Sequence, residues 1–359
     1  MSATRIDVGG ERPYPVIVGT GVLGELPQLV GDRPRTVVVI SPEGLEAIER
    51  PVRGVLEAAG YLTRGETVPA GEAAKELGVA ARLWSRLAAH RVTRSDAIVG
   101  VGGGATTDLA GFVAATWLRG VRLVLVPTTL LAITDAAVGG KTAINTAAGK
   151  NLVGAFYPPA GVLADLAVLE SLPAGDYASG LAEVIKAGFI ADPVILDLIE
   201  ADPGGAVVPH GRHARELVER AVRMKAEVVT GDLREAGLRE ILNYGHTLGH
   251  AIERVEDYRI RHGEAVSVGM VYAAELGRLA GRLDAATLHR HRSILAGAGL
   301  PTSYRPGAWP ALRKAMAVDK KARGAVLRFV VLAGPARPVI LADPPEDLLE
   351  QAYAEVTSR

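Results

Sequence analysis

Short β-branched runs alternate with helical patterns along the first half of this chain, and that alternation constrains the fold more than any other feature. Arg5 to Val8 and Tyr14 to Val18 read as a hairpin-like pair. Thr36 to Ile40 reads as a buried strand and is followed by a helix from about Leu45 to Ala59. A strand near Leu62 to Val68, a helix from about Ala73 to Ala89, a strand at Ala97 to Val101, a helix from about Asp108 to Trp117 and a strand at Leu123 to Val126 continue the series. Strands spaced by crossover helices in this way predict a parallel, Rossmann-like α/β sheet, with ligands at the carboxyl ends of the strands. Near Ser171 to Gly175 the alternation stops and the pattern turns mainly helical, so the domain boundary is placed at 173/174. A chain of 359 residues is long enough for two such domains.

Composition narrows the chemistry. Forty basic residues balance forty acidic ones, which argues against a general nucleic-acid surface and makes any local cluster of cations informative. No apolar run approaches the length of a membrane span, and Met1 to Gly10 is polar with no signal-peptide core after it, so a cytoplasmic protein is expected. With no cysteine, any metal must be held by nitrogen and oxygen ligands.

The strand ending at Val101 leads into Gly102-Gly103-Gly104-Ala105-Thr106-Thr107-Asp108. Glycines there let a ligand approach the backbone and its free N–H groups at a helix start, a seat suited to a pyrophosphate. Gly100, Gly102 and Ala105 even fit G-x-G-x-x-A, although a tight structural turn accounts for the run equally well. Glu43, after an earlier strand, could serve an adenosine ribose or simply begin a helix. Beyond Val126 the chain is dense in loop residues and cations, with Lys141 and Lys150 each following a glycine, as where an ammonium must reach an anion. Gly139-Gly140-Lys141-Thr142 ends like a Walker loop, but Asp135 stands where that loop needs its first glycine, so a nucleoside triphosphatase is rejected.

The stretch from Arg239 to Val266 carries the strongest chemical signal. At helical period Arg239, Asn243, His246 and His250 share one stripe, which is normally apolar, and such a face predicts a cavity with a metal or polar ligand. His246 and His250, at i and i+4, could share an ion, and His262 opens the next apolar segment. A metalloprotease helix is excluded, because Thr247 replaces the glutamate that chemistry needs. Glu183 and Lys186 sit three apart among Leu181, Val184 and Ile185, which suggests a buried helix rather than a surface salt bridge. Glu183 with two histidines would form a three-ligand site with an open position. Lys225 and the pair Lys320-Lys321 are solvated charges by default.

Gly102 to Phe112, Arg119-Gly120, Pro127 to Leu131, Gly139 to Thr142, Gly149 to Phe156, Leu181 to Lys186, Asn243 to Glu253 and His262 to Val266 together resemble, in order and separation, the motif series of the 3-dehydroquinate synthases. Asn-Tyr-Gly-His-Thr-Leu-Gly-His and Gly-Gly-Lys-Thr-Ala-Ile-Asn are the specific members of the series. The resemblance implies an NAD-binding α/β domain over residues 1–173 and a mainly helical metal- and substrate-binding domain over 174–359. It implies conversion of the sugar phosphate DAHP to 3-dehydroquinate and phosphate, with NAD used and regenerated and one divalent ion, zinc or cobalt. A homodimer is implied as well.

By matching positions, the resemblance places the metal on Glu183, His246 and His262, which corrects the pairing of His246 with His250 suggested by spacing. It makes His250 catalytic, with Asn243 beside it. It assigns Lys141, Asn151, Lys186, Lys225, Arg239 and the partner-supplied Arg119 to the substrate, with Asp135 and Lys150 in the same pocket and Lys320 or Lys321 as a further contact. Cofactor positions are Gly71, Glu72, Lys75, Gly103, Gly104, Ala105, Thr106, Thr107, Asp108, Thr128 and Thr129, with Lys141, Lys150 and the Glu43 noted above. Two positions depart from the family: Thr107 where it usually has glycine, and Ala70 where it has aspartate. A sister sugar-phosphate cyclase, an amino-analogue synthase and a metal-dependent polyol dehydrogenase are the alternatives.

Overall fold

The computed structural model describes residues 3–234, 237–323 and 326–357, apart from the side chains of 318–323. The chain forms two compact units: Met1–Leu172 with Lys225–Arg234, and Pro173–Met224 with Glu235–Arg359.

The first unit is built on a seven-stranded sheet. In chain order its strands are β1 (Thr4–Val8), β2 (Tyr14–Gly19), β3 (Thr36–Pro42), β4 (Leu62–Val68), β5 (Ala97–Gly102) and β6 (Arg122–Pro127). A hairpin of β7 (Lys141–Thr146) and β8 (Gly149–Phe156) comes next, and β9 (Gly161–Asp165) completes the sheet. The spatial order is β1-β2-β9-β6-β5-β3-β4, parallel throughout except for the β1–β2 pair. The β-branched runs predicted as strands pack here because both faces of a parallel sheet are covered. Val37, Val39, Val99, Val101, Val124, Val126 and Leu163 alternate onto one face and bury against Leu26, Leu29, Val52 and Leu56 of two helices.

Close approach on the sheet depends on glycine. A Cβ on Gly100 would lie 2.7 Å from that of Ala110, and one on Gly111 would lie 2.4 Å from Thr142 Cγ2. The helix Gly104–Thr116 therefore lies tightly between the sheet and the β7–β8 hairpin, and it begins four residues before the predicted start at Asp108.

The second unit is mainly helical, with a small antiparallel pair, β10 (Arg328–Leu332) and β11 (Pro338–Ala342), that the helical reading does not anticipate. The loop-rich reading beyond Val126 is corrected likewise: β7, β8 and β9 lie there, and β9 joins the sheet between β2 and β6. Their strand pairing comes from partners distant in sequence, which local composition does not show. The predicted helix from Ala73 is interrupted, a 3₁₀ turn at Gly71–Lys75 preceding the helix Leu77–Ala89, because Glu76 is extended. No helix among the described residues is long and apolar enough to cross a membrane.

Candidate active site

In the first unit the sheet gathers the predicted cofactor positions at one edge. Strands β6, β5, β3 and β4 are neighbours and parallel, so their carboxyl ends share that edge. Thr128 and Thr129 follow β6, Gly103 to Asp108 follow β5, Glu43 follows β3, and Gly71, Glu72 and Lys75 follow β4. Gly102 has φ +155, and a Cβ on it would meet Thr106 at 2.8 Å, so the turn into the helix requires glycine. Thr107, one of the two departures from the family, is buried and donates its hydroxyl to the Gly104 carbonyl at 2.9 Å. Its side chain is thereby directed into its own helix.

Lys75 is buried and bridges Asp108, at 2.5 Å, and the Asn151 side chain. Burial pushes the Asp108 carboxyl up, and the Lys75 ammonium only partly opposes it. Asn151, at φ +58, accepts a place in the left-handed region, and its amide N–H donates to Asn145 Oδ1 at 3.1 Å. Asn145 in turn donates to Glu72 at 2.6 Å, and Lys150 stands 3.7 Å from Glu72. One polar network thus joins the turn after β4 to the hairpin that carries Lys141, Lys150 and Asn151. The end of the helix Ala214–Gly231 brings Lys225 to Asp135, whose Oδ1 is 2.6 Å from the ammonium and whose carbonyl also accepts from it. Arg119, at φ +66, is exposed.

In the second unit the predicted metal set converges. Glu183 and Lys186 lie on the buried helix Ala174–Ile190, His246 opens the helix His246–Val255, and His262 opens the helix His262–Leu279. Glu183 Oε1 stands 3.7 Å from Nε2 of His246 and 3.7 Å from Nε2 of His262. Its other oxygen accepts from Lys186 Nζ at 2.5 Å. Two ligand atoms each about 2.1 Å from a tetrahedral ion lie roughly 3.4 Å apart, so one carboxylate oxygen and two imidazole nitrogens at this spacing suit a zinc-type ion. The remaining ring nitrogens are engaged elsewhere: His246 Nδ1 lies 3.1 Å from the Tyr244 carbonyl and His262 Nδ1 lies 3.4 Å from Glu253 Oε1. Such contacts leave Nε2 of each ring as the ligand atom.

Electrostatics divide the two imidazoles. Burial lowers the His246 pKa well below the usual histidine value, and the Lys186 ammonium lowers it further, so this ring is neutral and ready to coordinate. Burial also opposes charge on His262, but Glu183 and Glu253 outweigh it and hold that pKa up at about 10.

The stripe from Arg239 to His250 is not one helix. A 3₁₀ turn at Leu238–Asn243 ends at Tyr244, Gly245 adopts φ +79, and a new helix begins at His246. A Cβ on Gly245 would meet Met270 N at 2.8 Å, so packing against the His262–Leu279 helix imposes the break. Arg239 is buried, Asn243 is half-buried and His250 is exposed, its ring 5.2 Å from that of His246 and 6.2 Å from that of His262. Glu253 and Tyr244 receive no role from sequence reasoning. Glu253 at i+3 from His250 is a visible signal, whereas the Tyr244 contact runs through a backbone carbonyl and leaves none. The side chains of Lys320 and Lys321 lie outside the described residues.

The fold is that of the sugar phosphate cyclases. A solved 2-deoxy-scyllo-inosose synthase, complexed with carbaglucose-6-phosphate, NAD+ and Co2+, is 28% identical with a TM-score of 0.89, over 99% of this chain and 100% of that one. The 2-epi-5-epi-valiolone synthase ValA of Streptomyces hygroscopicus subsp. jinggangensis 5008, with NAD+ and Zn2+ bound, is 25% identical with a TM-score of 0.89, over 98% and 99% of the two chains. Two family models match, "3-dehydroquinate synthase N-terminal" over residues 66–179 and "3-dehydroquinate synthase C-terminal" over 180–322. A 3-dehydroquinate synthase of Thermobifida fusca is 66% identical over 99% of this chain and 97% of its own length. The chain belongs to the 3-dehydroquinate synthase family, and full-length identity at that level carries the family's synthase function with it.

Proposed function

We propose that this chain converts DAHP to 3-dehydroquinate and inorganic phosphate as a cytoplasmic carbon–oxygen lyase, working as a homodimer with NAD and one divalent metal ion. The observation that carries the reading is the convergence of Glu183 Oε1 on Nε2 of His246 and His262, at 3.7 Å each. The ion would supply polarisation of a substrate hydroxyl, and NAD would supply a reversible hydride acceptor.

The chain's own residues have separate tasks. Glu183, His246 and His262 would hold the ion, and Lys186 on Glu183 Oε2 holds the carboxylate aimed. The residues at the carboxyl edge of the sheet, Gly103 to Asp108 and Thr128–Thr129 above all, would seat the dinucleotide, the helix start at Gly104 offering N–H groups to its pyrophosphate. By the family resemblance, the positions assigned to a substrate that bears a carboxylate and a phosphate are Lys141, Lys150, Asn151, Lys225 and Asp135 in one unit and Lys186, Arg239 and Asn243 in the other. In a chain of zero net charge such a concentration of cations has to be built locally. His250, exposed beside His246, would move protons on the substrate. Arg119, exposed on its own protomer, suits a contact given to a second copy.

An amino-analogue synthase would keep nearly all of these groups and is the second reading. The test is incubation with DAHP, NAD and Zn2+ or Co2+, following phosphate release and the absorbance of NADH together. Phosphate release without accumulating NADH is expected. Stoichiometric NADH would point to a dehydrogenase, and no turnover of DAHP with turnover of another sugar phosphate would point to a sister cyclase.

A further inference from the structure

A buried histidine outside the site connects two of the elements that carry the candidate metal ligands. His291, on the helix Ala285–Gly297, is wholly buried. Its Nδ1 lies 2.8 Å from the Thr287 carbonyl, so the proton is on that nitrogen and Nε2 is an acceptor. Nε2 lies 2.8 Å from the hydroxyl of Tyr244, itself wholly buried. Facing an acceptor nitrogen, the phenol hydroxyl is the donor of that bond. The backbone carbonyl of Tyr244 receives His246 Nδ1 at 3.1 Å, which aims His246 Nε2 at Glu183. The other face of His291 is stacked on Phe189 at 3.5 Å, and Phe189 belongs to the helix that carries Glu183.

We infer that His291 is a positioning residue for metal binding: it fixes the Tyr244 side chain, and through the Tyr244 carbonyl it sets the ring orientation of His246 against the Glu183 helix. Phenylalanine at 291 would fill the space and remove the short bond at 2.8 Å, leaving the Tyr244 hydroxyl the Met270 carbonyl at 3.5 Å. A buried donor that keeps only a long bond costs free energy, and a shift of Tyr244 to shorten it would move the carbonyl that stands behind His246 Nδ1. Partners behind metal-bound histidines commonly change metal affinity by about 10–100-fold when removed.

The inference rests on the metal site proposed above, and one experiment separates the two. The full-length protein is stripped of metal and titrated with Co2+, reading affinity and the visible ligand-field bands. Wild type should bind one equivalent, lost in His246→Ala; failure of either result overturns the metal site itself. With that established, His291→Phe and Tyr244→Phe should each bind Co2+ about tenfold or more weakly and shift the bands. His291→Gln, whose amide oxygen can accept from Tyr244, should recover much of both. If a single variant does not fold, the double variant Tyr244→Phe/His291→Phe, which orphans neither group, is read the same way. Wild-type affinity and bands in the folded phenylalanine variants would overturn the inference while leaving the metal site standing.

Discussion

Lys186 Nζ stands 2.5 Å from Glu183 Oε2, three residues along one helix, with both side chains only 3% exposed. At the surface an i, i+3 pair contributes a few tenths of a kcal/mol, but here both charges are buried and each is the other's nearest counter-charge. Removing the cation takes away the nearest charged partner of the buried carboxylate and leaves it facing two imidazoles, of which His262 stands 3.7 Å away. Lys186→Met is expected to lower the unfolding free energy of the metal-free protein by about 3 kcal/mol. A divalent ion replaces part of the lost charge, so the deficit should shrink when Zn2+ is added. Denaturant unfolding with and without Zn2+ decides it, and an equal deficit in both would show that the ion does not sit on Glu183.

The Lys75–Asp108 pair in the first unit makes a parallel case, with Asn151 as a third partner. Lys75→Met should cost about 3 kcal/mol, because burial already raises the Asp108 carboxyl and no cation would then oppose it. Asp108→Asn in the same background should return a substantial part of that loss. Strict additivity of the two substitutions in a double-mutant cycle would show that the ion pair is not what fails.

Acid should weaken the second unit through His291. Burial holds its pKa down at about 4, the Thr287 carbonyl opposing and the Arg290 guanidinium assisting. An unfolded histidine titrates near 6.5, so between pH 6.5 and 4 the unfolded chain binds a proton that the folded one does not. Stability therefore falls as pH drops through that window, by up to about 3 kcal/mol from this group. His291→Phe removes the contribution, so its stability should fall less steeply with acid than wild type. Parallel curves for the two proteins would refute the assignment.

Two glycines bring the ligand helices together. A Cβ on Gly269 would lie 1.9 Å from the Gly245 carbonyl oxygen, whereas one on Gly297 would meet nothing within 4 Å. Gly269→Ala must push the helix His262–Leu279 away from the turn before His246. A loss of about 3 kcal/mol or more and weakened Co2+ binding are expected. Gly297→Ala should be near neutral in both measurements. Equal, small effects would mean that the helix crossing is more compliant than the contact implies.

The parallel sheet was legible because continuous β-branched runs such as Thr36 to Ile40 bury both faces in that setting, and helical segments separate them. The glycine turn at Gly102 was legible for a local reason too, since its backbone conformation excludes a side chain. The resemblance named Glu183, His246 and His262 residue by residue. Spacing alone paired His246 with His250, because i, i+4 neighbours on a helix can share an ion while a carboxylate some sixty residues earlier leaves no periodic trace. Strand β9 and the β10–β11 pair were hidden for the same reason, their hydrogen-bond partners being remote in sequence. What the sequence determined by itself was everything set by local backbone preference and by residue chemistry. The tertiary structure alone decided that Gly245 breaks the polar stripe against Met270, that Glu253 and the Tyr244 carbonyl stand behind the two imidazoles, and that His291 is buried against Phe189 of the helix carrying the carboxylate, because each of these is settled by which remote group arrives within hydrogen-bond or van der Waals distance.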